Sequence, residues 1–164
     1  ISVVEQDWFN FGYDQSQLQQ HQHYLISATF KLKTVTPLQA AFAQGRAHEI
    51  RRYRAHRYPK QNTCGSFFRN FHPQEVKLLI NQKPMIFTAY YLDKLGVKGS
   101  LQIGDAQVSH QHANMLVNLG QATTQDLISL AREMQQRVYA EFSIVPQPEC
   151  ILVGFKEYPL LQLT

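Results

Sequence analysis

The chain has 164 residues, enough for one ordinary domain with a core built without disulfides or metals, since a chain of this size hides roughly two-thirds of its surface. Its 44% apolar and 17% charged residues exclude a disordered polypeptide, and no apolar run nears the ~20 residues that a membrane span needs. The net charge of +4 is local: Arg46, Arg51, Arg52, Arg54, Arg57 and Lys60 fall within fifteen positions.

Such a basic run has three readings: complement to the C-terminal end of a helix dipole, a site for a phosphorylated small ligand, or a nucleic-acid contact. The two cysteines, Cys64 and Cys150, make no disulfide framework and fit a reducing, cytoplasmic setting. Ile1 to Val4 run straight into Glu5 and Asp7, without the basic start of a signal peptide. The first residue is isoleucine, and the expectation is that this sequence is part of a longer protein.

In chain order, residues 1–22 are polar and aromatic without a clean period and read as loop. Residues 24–32 alternate around Ala28, Phe30 and Leu32 and read as a strand. Thr36-Pro37 starts a helix, with a hydroxyl at the N-cap and proline at N1, that carries Leu38, Ala41, Phe42, Ile50 and Tyr53 and ends in the arginine cluster. Tyr58-Pro59 cannot continue it. Ser66-Phe67-Phe68 reads as a short buried strand ended by His72-Pro73. Residues 74–87 are ambiguous, with a turn available at Asn81 to Pro84. A short helix over 88–95 stops at Gly96. Short strands at 100–103 and 106–108 flank Gly104-Asp105, and 115–117 offers another.

Thr123 and Asp126 form a capping-box pattern. Behind it Leu127, Leu130, Ala131, Met134, Val138 and Phe142 make one apolar helical face, read as core. Pro146 and Pro148 stop that helix, and 150–153 reads as a buried strand. Helices mixed with short strands, without regular βαβ alternation, argue an α+β fold.

Three constellations bear on chemistry. Ser66 follows glycine, but Phe68 excludes the Gly-x-Ser-x-Gly elbow, which leaves a satisfied hydroxyl on a buried strand or a proton donor or ligand contact. Glu149, at the mouth of an apolar run, reads either as a surface carboxylate or as an acid whose pKa burial raises. His21-Gln22-His23 and His110-Gln111-His112 have His-x-His spacing, but neither has a nearby third ligand, and no metal is expected. Glycine-rich phosphate loops are absent, so no dinucleotide motif is encoded.

Cys64-Gly65-Ser66-Phe67-Phe68-Arg69-Asn70 resembles the signature of UDP-N-acetylenolpyruvoylglucosamine reductase, also called UDP-N-acetylmuramate dehydrogenase. The likeness continues in order through the helix ending at Gly96-Val97-Lys98-Gly99. It takes in Gly104-Asp105-Ala106-Gln107-Val108-Ser109 with His112-Ala113-Asn114, then Gly120-Gln121-Ala122-Thr123 and Pro148-Glu149. Upstream, Gly12-Tyr13-Asp14-Gln15-Ser16 is similar to a family element that has arginine where Asp14 stands, and Phe71 stands where proline often follows the signature.

The resemblance implies an α+β substrate-binding domain over 34–164, a short mixed or antiparallel sheet packed with helices. It is preceded over 1–33 by the last strands of an FAD-binding domain that lies mainly N-terminal to everything here. It implies an FAD- and NADPH-dependent oxidoreductase of peptidoglycan synthesis that reduces UDP-N-acetylglucosamine enolpyruvate to UDP-N-acetylmuramate, with this stretch inactive alone. Ser66 is implied as proton donor and Glu149 as its partner at the reacting centre. Tyr13, Asn70, Arg54, Arg57 and His112 are implied as substrate-binding. The cofactor-binding residues are not identified, and neither nucleic acid nor membrane insertion is expected. The alternative is a non-catalytic nucleotide-sugar or phosphate-binding module of the same fold.

Overall fold

A computed structural model describes residues 1–13, 15–20, 22–60 and 62–162. The chain divides into two compact units, Ile1–Arg46 and Ala47–Thr164.

The first unit buries no residue fully among those described. Two 3-10 turns, Gln6–Phe9 and Gln17–Gln20, frame an aromatic cluster in which Trp8 meets Phe9 and His23 edge-on. The strand expected over 24–32 does not form. A ladder needs a partner for its backbone N–H and C=O groups, and the described residues of this unit provide none. Tyr24, Leu25, Ile26, Phe30 and Leu32 are all exposed. Asp14 and His21, with the metal pairing of the latter, lie outside the described residues.

Helix α1 (Pro37–Arg57) starts at Pro37 as expected, Thr36 Oγ1 accepting the Gln39 N–H. Among its described residues none is buried.

The second unit holds the core. Hairpin β1 (Leu79–Ile80) and β2 (Lys83–Pro84) resolves the ambiguous stretch: Asn81 and Gln82 both take positive φ, as a two-residue hairpin turn requires. Helix α2 (Thr88–Lys94) buries Tyr91 and Leu92 and ends at Gly96, φ +65°. A three-stranded antiparallel meander follows: β3 (Gln102–Ile103), β4 (Ala106–Val108) and β5 (Leu116–Asn118), with β4 central.

Helix α3 (Thr124–Phe142) packs on this sheet. Its capping box is formed on both sides: Thr123 Oγ1 accepts the Asp126 N–H at 3.1 Å, and Asp126 accepts the Thr123 N–H at 2.8 Å. Gly104, φ +54°, lets the hairpin touch that cap, since a Cβ there would lie 2.7 Å from the Asp126 carboxyl carbon. Leu130, Ala131, Met134 and Val138 are fully buried, each larger side chain contributing about 1.5–3 kcal/mol of apolar burial. Leu127 and Phe142 pack at the edge of the same core. Gln135 is buried among them, its amide bonded to the Pro146 and Leu161 carbonyls and accepting the Leu161 N–H.

The strand expected over 150–153 is also absent. Pairing stops at Glu149, and Ile151 and Val153 are exposed, although Cys150 and Leu152 pack against the core margin. Helices around short antiparallel strands make the α+β class expected from the sequence.

Candidate functional site

The stretch Ser66 to Asn70 runs through the middle of the second unit with a different backbone neighbour before and after Phe67. Ser66 pairs antiparallel with Met115, and the Phe67 N–H donates to the Asn114 carbonyl at 2.8 Å. Phe68 pairs antiparallel with Pro148. The Phe67 carbonyl accepts the Glu149 N–H at 2.8 Å, and the Arg69 N–H donates to the Gln147 carbonyl at 2.9 Å. In a regular strand the N–H and C=O of one residue point to the same side. At Phe67 they serve opposite neighbours, so the strand changes partner there.

This arrangement brings the backbones of Ser66 and Glu149 together although they lie 83 positions apart in the chain. Ser66 is half-buried, whereas Glu149 is exposed. The buried reading of Glu149 is therefore not met, because no strand follows to cover it.

Downstream of Phe68 the signature is tied to α2. The Thr88 hydroxyl donates to the Arg69 carbonyl at 2.5 Å, and the Thr88 N–H to Asn70 Oδ1 at 3.4 Å. Arg69 forms a two-pronged pair with Glu75, at 2.9 and 2.8 Å. Glu75 also accepts the His72 N–H at 2.6 Å, closing a cap on the turn Pro73–Glu75. The Arg69 hydrogen bonds hold the Glu75 carboxyl below its ordinary value, against a smaller upward push from burial.

A depressed carboxylate contributes stability that is present above its unfolded value and lost as pH falls through the folded one. Wild-type stability is therefore expected to drop between about pH 5 and pH 3, and Glu75→Gln to flatten part of that drop. Urea midpoints across this range measure it; parallel curves would disprove the contribution. Asp126, held low by hydrogen bonds from Thr123, acts with the same sign, so the variant keeps a residual slope.

A second cluster gathers where α1 ends. Gln111 Nε2 donates to the Ala55 and His56 carbonyls, both at 3.2 Å, satisfying two acceptors of the helix end. Tyr58 stacks on His112, ring centroids 5.3 Å apart, and the Arg54 guanidinium lies 4.6 Å from the Tyr58 ring centre. Arg57 bonds the Tyr53 hydroxyl at 2.8 Å.

His112 Nδ1 accepts the Asn114 N–H at 3.2 Å, which leaves the proton on Nε2. Burial, then the charges of Arg57 and Lys98, lower the His112 pKa, so at neutral pH it is an uncharged donor rather than a cation. Arg54, Arg57 and His112 thus lie in one neighbourhood. Tyr13 belongs to the first unit and is exposed.

A cleft of about 450 Å³ lies between Asn62, Thr63, Cys64, Phe67, Leu116 and Asn118. Among the described residues no charged side chain lines it. That lining does not suit the diphosphate of a flavin dinucleotide. Among the described residues no helix is long and apolar enough to cross a membrane.

Sequence reasoning gave no role to Glu75, Tyr58, Thr88 or Asn114. Glu75 had a signal, three residues after the N-cap His72 of a Pro-initiated turn. Asn114 stands within the family-like block His112-Ala113-Asn114, but its partner Phe68 is 46 positions away.

Residues 57–153 match the family model described as UDP-N-acetylenolpyruvoylglucosamine reductase, C-terminal domain. Curated reductases of that name are similar over most of the chain. The Trichormus variabilis protein is 34% identical over 154 residues, 94% of this chain and 42% of its own length. The Synechocystis protein is 31% identical, over 94% of this chain and 45% of its own length. The crystal structure of UDP-N-acetylenolpyruvylglucosamine reductase (MurB) from Thermus caldophilus superposes with a TM-score of 0.51 at 30% identity. That superposition covers 73% of this chain and 36% of that one. The chain thus spans less than half the length of these relatives. With the family model matching more than half of its residues, the chain belongs to the UDP-N-acetylenolpyruvoylglucosamine reductase C-terminal-domain family.

Proposed function

We propose that residues 34–164 are the substrate-binding part of a UDP-N-acetylmuramate dehydrogenase, acting on UDP-N-acetylglucosamine enolpyruvate in the cytoplasm. Residues 1–33 are read as the end of its FAD-binding region. FAD is assigned mainly to sequence outside residues 34–164; bound there, it would supply the hydride that the reaction requires, with NADPH as the reductant. Here Ser66 gives a proton to the carbon next to the one that receives hydride, and Glu149 assists at that centre. Arg54, Arg57, Asn70 and Tyr13 hold the UDP-sugar, and neutral His112 donates through Nε2–H.

The observation that carries this reading is the convergence of three separated blocks on one strand. Ser66 to Arg69 are paired on one side with Asn114 and Met115, and on the other with Gln147, Pro148 and Glu149.

The test is NADPH oxidation by the holoenzyme as a function of the enolpyruvyl UDP-sugar. Arg57→Ala is expected to raise KM about tenfold or more with kcat little changed, as loss of a charge-assisted contact requires. NADPH oxidation indifferent to this substrate would leave only a non-catalytic binding module.

A further inference from the structure

We infer that Asn114 is a positioning residue for the proton donor: its side-chain amide stands in for a strand neighbour and fixes the backbone that carries Ser66 and Asn70. Asn114 Oδ1 accepts the Phe68 N–H at 3.1 Å, and Asn114 Nδ2 donates to the Phe68 carbonyl at 2.7 Å. Both residues are buried, Asn114 to 3% and Phe68 to 1% exposure, so water cannot replace either bond.

The need for this amide follows from the partner change at Phe67. The segment containing Pro148 takes up the N–H of Arg69 and the carbonyl of Phe67. The Phe68 N–H and C=O point the other way, toward the side where Asn114 and Met115 have already paired with Ser66 and Phe67. Among the described residues no backbone is in register there, and one primary amide provides the donor and acceptor that a strand would.

Asn114 is itself fixed: its carbonyl accepts the Phe67 N–H, and its N–H donates to His112. The side chain thus couples the histidine neighbourhood to the signature strand two residues beyond Ser66. A slack Phe68 backbone would let the serine hydroxyl drift by a fraction of an ångström, and misplacement of about 1 Å costs on the order of 100-fold in rate.

This role rests on the reading of Ser66 as proton donor, and the experiment separates the two. Asn114→Ala and Ser66→Ala are combined in a double-mutant cycle of product formation by the holoenzyme. Asn114→Ala is expected to slow product formation about tenfold to 100-fold. On the Ser66→Ala background it should add less than about threefold, because no donor is left to misplace. Equal factors on both backgrounds would mean a merely structural role and overturn the proposal.

Amide exchange at Phe68 reads the hold independently of catalysis and should quicken about tenfold or more in Asn114→Ala. Unchanged exchange overturns the proposal as well. Should alanine prevent folding, Asn114→Asp keeps shape and acceptor and loses only the donor to the Phe68 carbonyl while ionised; it should show the same non-additivity with a smaller factor. Full turnover in Ser66→Ala alone overturns the donor assignment, whatever happens to Phe68 exchange.

Discussion

Ser66→Ala is expected to leave reduction of the holoenzyme by NADPH at its wild-type rate and to slow product formation about 10²–10⁴-fold, the usual worth of a positioned proton donor. The separation is diagnostic because the hydroxyl acts only once the UDP-sugar is present. Rapid-mixing measurements of the two half-reactions check it. Equal slowing of both would mean that alanine disturbed the strand rather than the chemistry, and no slowing of either would remove Ser66 from the mechanism. The strand is well braced against the first of these failures, since Ser66, Phe67, Phe68 and Arg69 are each paired to a neighbour. Removing one oxygen from a half-buried side chain leaves every one of those backbone bonds in place.

The largest stability effect is expected at Gln135. Gln135→Leu keeps the volume and the helical position but strands the Leu161 N–H and the Pro146 carbonyl, both now bonded to the glutamine amide at 2.8 and 2.7 Å. Orphaned backbone groups cost about 1–3 kcal/mol each, so a loss of about 2–4 kcal/mol is expected, offset in part by the apolar side chain. Urea unfolding followed by far-ultraviolet circular dichroism measures it. A change below about 1 kcal/mol would mean that residues near 161 find other partners. Pro146 begins the segment that delivers Gln147, Pro148 and Glu149 to the signature strand, so this buried amide also bears on the candidate site.

What could be read from the sequence was what neighbouring residues decide. Helix α3 announced itself through Thr123, Asp126 and a single apolar stripe, and the hairpin β3–β4 through Gly104-Asp105 between short apolar runs. The run Cys150 to Val153 looked like a buried strand on the same evidence and is not one, because a strand is completed by a partner that local pattern cannot reveal. The stretch 24–32 failed for the same reason. At the site, family resemblance ordered Ser66, Asn114 and Glu149 along the chain. Spacing alone did not disclose that the strand changes neighbours at Phe67, nor that a side-chain amide fills the gap. Gln135 is the reverse case: it follows Met134 in α3 but is not among the apolar positions that make up the helix's core face. It is buried because three backbone groups distant in sequence needed a partner.

The single tryptophan of the chain, Trp8, sits in the edge-on aromatic cluster of the Ile1–Arg46 unit, and Ala47–Thr164 contains none. Intrinsic tryptophan emission therefore reports on the first unit alone, while the circular dichroism sums α2 and α3 of the second unit with α1, which crosses the boundary. Two optical signals from one unlabelled sample thus distinguish a chain that melts as one cooperative body, with coincident transitions, from one whose halves melt apart. A variant such as Gln135→Leu that disturbs only the second unit should move the dichroism and leave the Trp8 emission unchanged.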